Sequence, residues 1–264
     1  MPETLAIYQV DAFAETLFGG NPAAVVPLEH WLPDETLQKI AAENNLAETA
    51  FLVPDGQGWA LRWFTPAVEV ALCGHATLAS GFVIFRFLRP GSRHAAFTTK
   101  RAGMLEVSEV EGVLTLDLPS RPPEPVPPPE GLAAALGARP VAVLAAEKLL
   151  AVFETEQEVA ALAPDFRKVA ALPFDGVIAT APGSAGTDFV SRYFAPHAGI
   201  DEDPVTGSAH CVLTPYWAAR LGRRRLEARQ ISARGGHLRC EDLGGRVALS
   251  GRAQLYMTGQ IHVT

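Results

Sequence analysis

The segment Arg62–Pro66, RWFTP, returns 130 residues later as Arg192–Pro196, RYFAP. The segment Cys73–Ala76, CGHA, returns 133 residues later as Thr206–Ala209, TGSA. The chain has 264 residues, so both offsets are about half its length. CGHA and TGSA each open an apolar stretch, which predicts a helix that begins at the glycine. The sequence therefore predicts two copies of one structural unit.

Two helix starts of this kind indicate a site for an anion. The first backbone amides of a helix have no partner within it, and the helix dipole places partial positive charge there. Gly74 and Gly207 would let the backbone approach a ligand closely because they have no side chain. We therefore expect a small substrate with a carboxylate group, held between two related halves.

The composition indicates a globular chain of one large domain or two ordinary ones. Apolar residues make up 48% of it and charged residues 19%. The net charge of −7 argues against a nucleic-acid partner. Three cysteines cannot form a disulfide framework, which fits a reducing cytoplasm. No signal peptide and no membrane span is recognisable, so we expect a cytoplasmic protein without a membrane partner.

Each half contains many predicted strands and one helix that is apolar on nearly every side. These helices are predicted at Gly74–Leu88 and Gly207–Leu221. A helix that is apolar all round is buried. We therefore predict an α+β fold in which each half is a curved mixed sheet, or barrel, wrapped around a central helix. Three further helices are predicted at Pro33–Asn44, Glu156–Leu162 and Asp165–Leu172.

Seven of the 21 prolines lie between Pro119 and Pro129. Such a segment favours extended polyproline geometry and is typical of a semi-rigid linker. We therefore predict an N-terminal half over 1–118, a linker over 119–130 and a C-terminal half over 131–252.

Glu48 is the strongest candidate for a catalytic group. In a strand it shares one face with Leu46, Ala50 and Leu52, and the opposite face is also largely apolar. A carboxylate in a partly dry space suits a general base. The alternative interpretation is a glutamate at the start of a strand that is exposed or paired with an arginine.

Three polar residues next to the predicted helix starts are further candidates. His75 could bind a substrate or carry a proton, or it could be a capping or core histidine. Ser208 follows Gly207 and could bind substrate or simply cap the helix. Asp203 could contact a substrate amine or hydroxyl, although acidic residues before a helix are also favoured by its dipole.

Known cofactor and metal motifs are missing from the sequence. It has no Gly-x-Gly-x-x-Gly, no phosphate-binding lysine motif, no Cys-x-x-Cys and no His-Glu-x-x-His, and its seven histidines are scattered. We therefore expect no bound nucleotide and no metal.

Six motifs run in order over nearly the whole chain. They are Val10–Phe13 (VDAF), Phe18–Val25 (FGGNPAAV), Asn45–Phe51 (NLAETAF), Arg62–Pro66 (RWFTP), Cys73–Thr77 (CGHAT) and Asp203–Ala209 (DPVTGSA). In these motifs the chain resembles the PhzF-like isomerases of phenazine biosynthesis.

This resemblance implies a fold of the diaminopimelate-epimerase type, with two pseudo-symmetric halves and the active site in the cleft between them. It also implies a homodimer, no cofactor, and a last segment, 253–264, that joins the N-terminal half.

The resemblance further implies the roles of the site residues. Glu48 would be the acid/base that moves a proton between carbons. Gly74 and Gly207 would contact the substrate carboxylate through their backbone. His75, Asp203 and Ser208 would complete the catalytic site, and Asn21 would belong to the substrate-binding residues.

The related epimerases and racemases place one thiol at each helix start. Cys73 stands at the first of these positions, but Thr206 stands at the second, and its hydroxyl is a far weaker acid. A single base, Glu48, therefore favours isomerisation over racemisation. Two alternatives stay open: an amino-acid epimerase or racemase that uses Cys73, and a non-catalytic dimeric protein that binds a small acid.

Overall fold

The computed structural model describes residues 3–263, which form two compact units. The first unit comprises the described residues up to Asp117 together with those from Ser250 onward. The second unit is Leu118–Leu249. No helix among the described residues is long and apolar enough to cross a membrane.

The first unit consists mainly of strands, with one surface helix and one buried helix. Its elements up to the unit boundary are β1 (Glu3–Ala12), β2 (Asn21–Pro27), α1 (Asp34–Asn44), β3 (Glu48–Asp55), β4 (Gly58–Phe64), β5 (Glu69–Val70), α2 (Gly74–Val83), a π-helical turn (Ile84–Leu88), β6 (His94–Thr99), β7 (Met104–Val110) and β8 (Val113–Pro119).

The second unit repeats this composition with more short helices. Its elements are β9 (Glu124–Pro125), α3 (Leu132–Leu136), β10 (Ala142–Ala145), β11 (Leu149–Val152), α4 (Glu156–Ala160), α5 (Phe166–Ala170), β12 (Val177–Pro182), β13 (Phe189–Ala195), a 3₁₀ turn (Pro196–Ala198), β14 (Ile200–Asp203), α6 (Gly207–Leu221), β15 (Arg225–Gln230), β16 (Gly236–Asp242) and β17 (Arg246–Gly251). The last strand, β18 (Ala253–Val263), returns to the first unit and pairs with β1.

The two units have the same pattern of strand pairing. In the first, β2 is parallel to β3, β3 antiparallel to β4, and β4 antiparallel to the short β5 and parallel to β6. In the second, β11 is parallel to β12, β12 antiparallel to β13, and β13 antiparallel to the short β14 and parallel to β15. The segments RWFTP and RYFAP lie at the equivalent ends of β4 and β13.

The buried helix of the first unit is α2. All of its residues except Phe82 are buried, and it contacts β1, β2, β3 and β7. The predicted helix Gly74–Leu88 continues beyond α2 as a π-helical turn, where the amide of Arg89 donates to the carbonyl of Ile84. The sheet of this unit therefore surrounds an apolar helix, as predicted.

The buried helix of the second unit, α6, has the predicted bounds and carries a proline. Pro215 has no amide hydrogen, so it cannot donate to the carbonyl of Cys211. That carbonyl instead accepts a hydrogen bond of 2.9 Å from the amide of Arg121. The proline-rich segment is in this way attached to α6, and it contributes the short strand β9 to the second unit.

The short helices differ in their ends from the sequence prediction. The helix predicted over Asp165–Leu172 is α5, Phe166–Ala170, because Asp165 is its N-cap and accepts from the amides of Arg167 and Lys168. The helix predicted over Glu156–Leu162 ends two residues earlier, at Ala160. α3 was not predicted, because five residues between two left-handed glycines give no helical period.

Close packing between α2 and β7 gives the first prediction. A Cβ added at Gly81 would lie 2.5 Å from Cγ1 of Val107. Alanine favours a helix over glycine by up to about 1 kcal/mol, but overpacking a core costs about 1–3 kcal/mol. We expect Gly81→Ala to lower the free energy of unfolding in urea titrations. Adding Val107→Ala should make the double variant less destabilised than the sum of the single variants, and a stabilised Gly81→Ala would contradict this packing.

Candidate active site

Glu48 and His75 are in contact at the start of α2. The Nε2 atom of His75 lies 3.1 Å from Oε2 of Glu48, an ion-pair distance at which the hydrogen-bond angle is poor. The side chain of His75 is 3% exposed and that of Glu48 is 13% exposed. Glu48 therefore combines a buried oxygen beside an imidazole with partial access to solvent.

The other side of the imidazole is held by Asn21. The amide nitrogen of Asn21 lies 3.0 Å from Nδ1 of His75, and Asn21 is fully buried. The sequence placed Asn21 among substrate-binding residues, and its described contact is with His75. Asn21, His75 and Glu48 therefore form a row of three polar side chains whose exposure increases towards the glutamate.

The turn before β2 explains the position of Asn21. Gly20 has φ of +65°, and a Cβ at this position would lie 2.2 Å from the carbonyl oxygen of Ala12. Only glycine fits such a close approach in this conformation. The carboxylate of Asp11 accepts from the amide of Phe18 and ties down the same turn. The FGGN sequence thus fixes the first residue of β2 opposite α2.

Burial and neighbouring groups shift two pKa values here. Burial raises the pKa of the Cys73 thiol to about 11, and the Glu48 carboxylate adds to this effect. Burial alone would lower the pKa of His75, but the neighbouring Glu48 carboxylate opposes burial and favours a raised pKa for this imidazole. At neutral pH Cys73 is therefore a protonated thiol, which is a poor base and a poor nucleophile.

In the second unit, Asp203 belongs to a buried hydrogen-bond network. The hydroxyl of Thr206 donates to the Asp203 carboxylate. Gln230, on β15, accepts from the amide of Thr206 at 2.8 Å and donates to the backbone carbonyl of Asp203 at 2.7 Å. Asp203, Thr206 and Gln230 are all buried. Gln230 thus fixes the turn that precedes α6.

The starts of α2 and α6 share their local geometry. No side chain of the described residues caps either helix, so the first-turn amides are not used by a capping group. In α2 the hydroxyl of Thr77 donates to the carbonyl of Cys73, and in α6 Nδ1 of His210 lies 2.8 Å from the carbonyl of Thr206. Gly74 and Gly207 are buried at these starts, whereas Ser208 is partly buried.

The repeated RWFTP and RYFAP segments hold arginine–glutamate pairs. Arg62 donates two hydrogen bonds to Glu69, at 2.7 and 2.9 Å. Arg192 donates two to Glu202, both at 2.8 Å. Each guanidinium also lies over the phenylalanine two residues later, about 5 Å from its ring centre. The repeat therefore fixes the short strand before each buried helix.

The comparisons with known proteins agree with this architecture. A family model described as phenazine biosynthesis-like protein matches residues 10–259. The chain belongs to the phenazine biosynthesis-like family. This confirms the resemblance found in the sequence.

Two relatives are similar over nearly their whole length. A protein of Pseudomonas aeruginosa named uncharacterized isomerase is 52% identical, over 98% of this chain and 99% of its own. A crystal structure of a PhzF-family protein from Enterococcus faecalis has a TM-score of 0.93 and 47% identity, covering 98% of this chain and 99% of its own. A hydroxyproline epimerase of Agrobacterium vitis, at 12% identity and a TM-score of 0.63, shares the fold. The predicted fold class is confirmed.

Strand register shows that this family member has no second glutamate at the position equivalent to Glu48. Thr49 pairs with Phe64, and Val177 pairs with Phe194, the corresponding residue of the repeat. The residue before Val177 is Gly176, where a Cβ would lie 2.6 Å from the Tyr193 hydroxyl. No side chain fits at that position. Of these two equivalent positions, only the one in the first unit, Glu48, carries a carboxylate.

Glu48, Cys73 and His75 form one group of potential metal ligands, with their ligand atoms within 4.8 Å of one another. The sulfur of Cys73 is nearly equidistant from the two ring nitrogens, at 3.5 and 4.0 Å, so it lies off the lone-pair direction of either. A zinc ion would lie in the ring plane, about 2.0–2.1 Å from a nitrogen and about 2.3 Å from the sulfur. These groups do not fit a shared ion unless a buried side chain rotates.

The sequence did not single out Gln230 or His210 as part of the helix start. Their partners lie on the turn before α6, and for Gln230 that turn is 24 residues away along the chain. His210 does carry one local signal, because it occupies the position equivalent to Thr77 and bonds to the equivalent carbonyl. Gln230 has no such signal, since only the pairing of β13 with β15 brings it near Thr206.

Burial of His210 predicts a dependence of stability on pH. Its Nδ1–H donates to Thr206, its Nε2 has no hydrogen-bond partner among the described residues, and burial lowers its pKa to about 4. The unfolded chain, with an ordinary histidine pKa of about 6.5, takes up this proton first. Stability is therefore complete above about pH 6.5 and falls by about 3 kcal/mol towards pH 4.

We expect His210→Gln, which keeps a donor without a charge, to flatten this part of the stability profile in urea titrations at several pH values. The exposed His237 provides the matched control, His237→Gln, which should leave the profile unchanged. A His210→Gln profile as steep as that of the wild type would contradict the burial argument.

Proposed function

We propose that this protein is a cofactor-independent isomerase in which Glu48 moves a proton from one carbon of a small carboxylate to another. The observation that carries this proposal is the contact of Glu48 with His75 at the start of α2, together with Gly176 at the equivalent position of the second unit. The names of the relatives support isomerase activity. The substrate class rests on the predicted anion sites at Gly74 and Gly207.

Two properties of Glu48 and one feature of the helix start support this role. Its side chain is largely buried but still 13% exposed, so substrate and water can reach it. Its Oε2 lies beside His75, which holds the carboxylate in place. In the proposed mechanism, negative charge that develops on the substrate is stabilised by uncapped amides at a helix start, which are already oriented towards it.

The residues near α6 are proposed to bind and orient substrate. Asp203 is held by Thr206 and Gln230, so its carboxylate has a fixed position in which to accept from a substrate amine or hydroxyl. Ser208 is partly buried at the first turn of α6 and can donate its hydroxyl proton to a substrate carboxylate. Gly207 would contribute its backbone amide.

The observations favour one base over two. In a two-thiol racemisation, a second thiol would be needed at Thr206, and Cys73 would have to ionise near neutral pH. Thr206 already donates its hydroxyl to Asp203, and the pKa of Cys73 is raised to about 11. A single carboxylate that takes and returns a proton gives isomerisation.

Hydrogen exchange tests this mechanism. The protein is incubated in heavy water with a panel of small cyclic and amino carboxylates, and deuterium on carbon is measured. We expect Glu48→Gln to lower the rate by about 10²–10⁴-fold, the usual contribution of general acid–base catalysis. Cys73→Ser should retain exchange, and Glu43→Gln, at an exposed glutamate, should match the wild type.

The other outcomes separate the alternatives. Loss of exchange in Cys73→Ser but not in Glu48→Gln would favour the epimerase interpretation. Wild-type protein that is stabilised against heat by one of the carboxylates, but never exchanges it, would favour a non-catalytic binding protein. Wild-type exchange lost on removal of metals by chelation and dialysis would refute cofactor independence.

We also propose a homodimer formed through the β1–β18 ribbon of the first unit. Five consecutive residues of β18, Tyr256–Gln260, are exposed. Phe18 is 68% exposed and Tyr256 50% exposed, and their rings are 6.0 Å apart. Exposed aromatic groups that lie together are typical of protein interfaces. A second copy of the chain is the partner implied by the family resemblance.

Charged substitutions on the ribbon should weaken such a dimer. Interface aromatics often contribute 2 kcal/mol or more, so Tyr256→Asp should raise the dissociation constant by about 30-fold or more, measured by analytical ultracentrifugation. Val110→Asp, at an exposed apolar residue of β7, is the matched control and should leave the constant unchanged. A monomeric wild type would refute the proposal.

A further inference from the structure

Asn21 contacts His75 on the side away from Glu48. Its amide nitrogen lies 3.0 Å from Nδ1, and Nε2 of the same ring lies 3.1 Å from the glutamate. Both side chains that hold the ring are on strands of one sheet, β2 and β3, and Ala23 on β2 pairs with Glu48 on β3. The imidazole therefore has a fixed partner for each nitrogen.

An asparagine is a neutral group that offers both a donor and an acceptor. In the orientation observed, its nitrogen donates to Nδ1, which must then be unprotonated, and the ring proton is on Nε2. After a half-turn of the amide, its oxygen would accept from a protonated Nδ1, and the ring would be an imidazolium. In both states Nε2 carries a proton and faces the Glu48 carboxylate.

We propose that Asn21 is a positioning residue that keeps Nε2 of His75 protonated, so that His75 presents an N–H to Glu48 and does not compete with it for a proton. That Glu48 is the base rests on the proposed function. The state of the His75 ring does not depend on it. Without Asn21, the neutral ring could place its proton on Nδ1 and turn an unprotonated Nε2 towards the carboxylate.

The surroundings of His75 contain few other titratable groups. Cys73 contacts the ring from the N-cap of α2, and its thiol is protonated near neutral pH because burial raises its pKa to about 11. On β1, Asp11 accepts from the amide of Phe18. On β7, Glu109 is paired with Arg86 and Arg93. Glu48 is thus the carboxylate in direct contact with the imidazole.

Two substitutions of similar shape separate the donor and acceptor roles of Asn21. Asn21→Asp provides only an acceptor at neutral pH, which requires a proton on Nδ1. Asn21→Leu provides neither a donor nor an acceptor. The tautomer and the titration of His75 are read from ¹⁵N chemical shifts of the histidine-labelled protein, and the His75 signals are assigned by their loss in His75→Gln.

In the wild type, the neutral His75 ring should carry its proton on Nε2. In Asn21→Asp, the added carboxylate should favour the imidazolium and raise the pKa of His75 by about 1–3 units. When the ring then loses a proton, it should lose the one on Nε2. In Asn21→Leu, the neutral ring should be a mixture of tautomers. The signals of His210, in the second unit, should be unchanged in both variants and serve as the folding control.

Two results would overturn the proposal. The first is a neutral wild-type His75 with its proton on Nδ1. The second is a folded Asn21→Leu protein in which the tautomer and the titration midpoint of His75 are the same as in the wild type. The hydrogen-exchange assay is read separately, so a failure of the proposed activity would leave the ring measurement intact, and a failure of the ring measurement would leave Glu48 as the proposed base.

Discussion

The contact between Glu48 and His75 is the interaction on which the candidate site depends. A carboxylate and an imidazole that are largely removed from water would cost several kcal/mol if either were unpaired. They are stabilised by each other and by Asn21 on the far side of the ring, and the positive end of the α2 dipole favours the carboxylate. The site therefore requires the whole apolar helix to be in place, because α2 brings His75 to a glutamate on β3.

The repeated segments of the sequence carry the framework, and the proposed base lies where the repeat fails. Arg62 and Arg192 each bind a glutamate on the next short strand, and Thr77 and His210 each bond back to the residue before a buried helix. By contrast, Glu48 corresponds to Gly176. In the first unit, β3 begins with the carboxylate of Glu48. In the second unit, the Tyr193 hydroxyl occupies the space that a side chain at Gly176 would need.

The sequence predicted the parts of the fold that have a local pattern. α6 has the predicted bounds because its apolar residues extend over the full length of the helix, and the fold class follows from two such helices. The contact of His75 with Asn21 joins residues 54 apart along the chain and leaves no local pattern. The attachment of the proline-rich segment to α6 also has no local pattern. Because Pro215 cannot donate to the carbonyl of Cys211, that carbonyl accepts from the amide of Arg121 instead.

The same physical argument explains why Cys73 should not be the base although it stands at a helix start. A helix start usually favours a thiolate, but here burial and a neighbouring carboxylate oppose ionisation and raise the thiol pKa to about 11. The glutamate that opposes a thiolate also has His75 beside it and retains access to solvent. Of the two groups, only the carboxylate is partly exposed, whereas Cys73 is buried. The arrangement that opposes ionisation of the thiol thus supports the proposal that Glu48, and not Cys73, is the base.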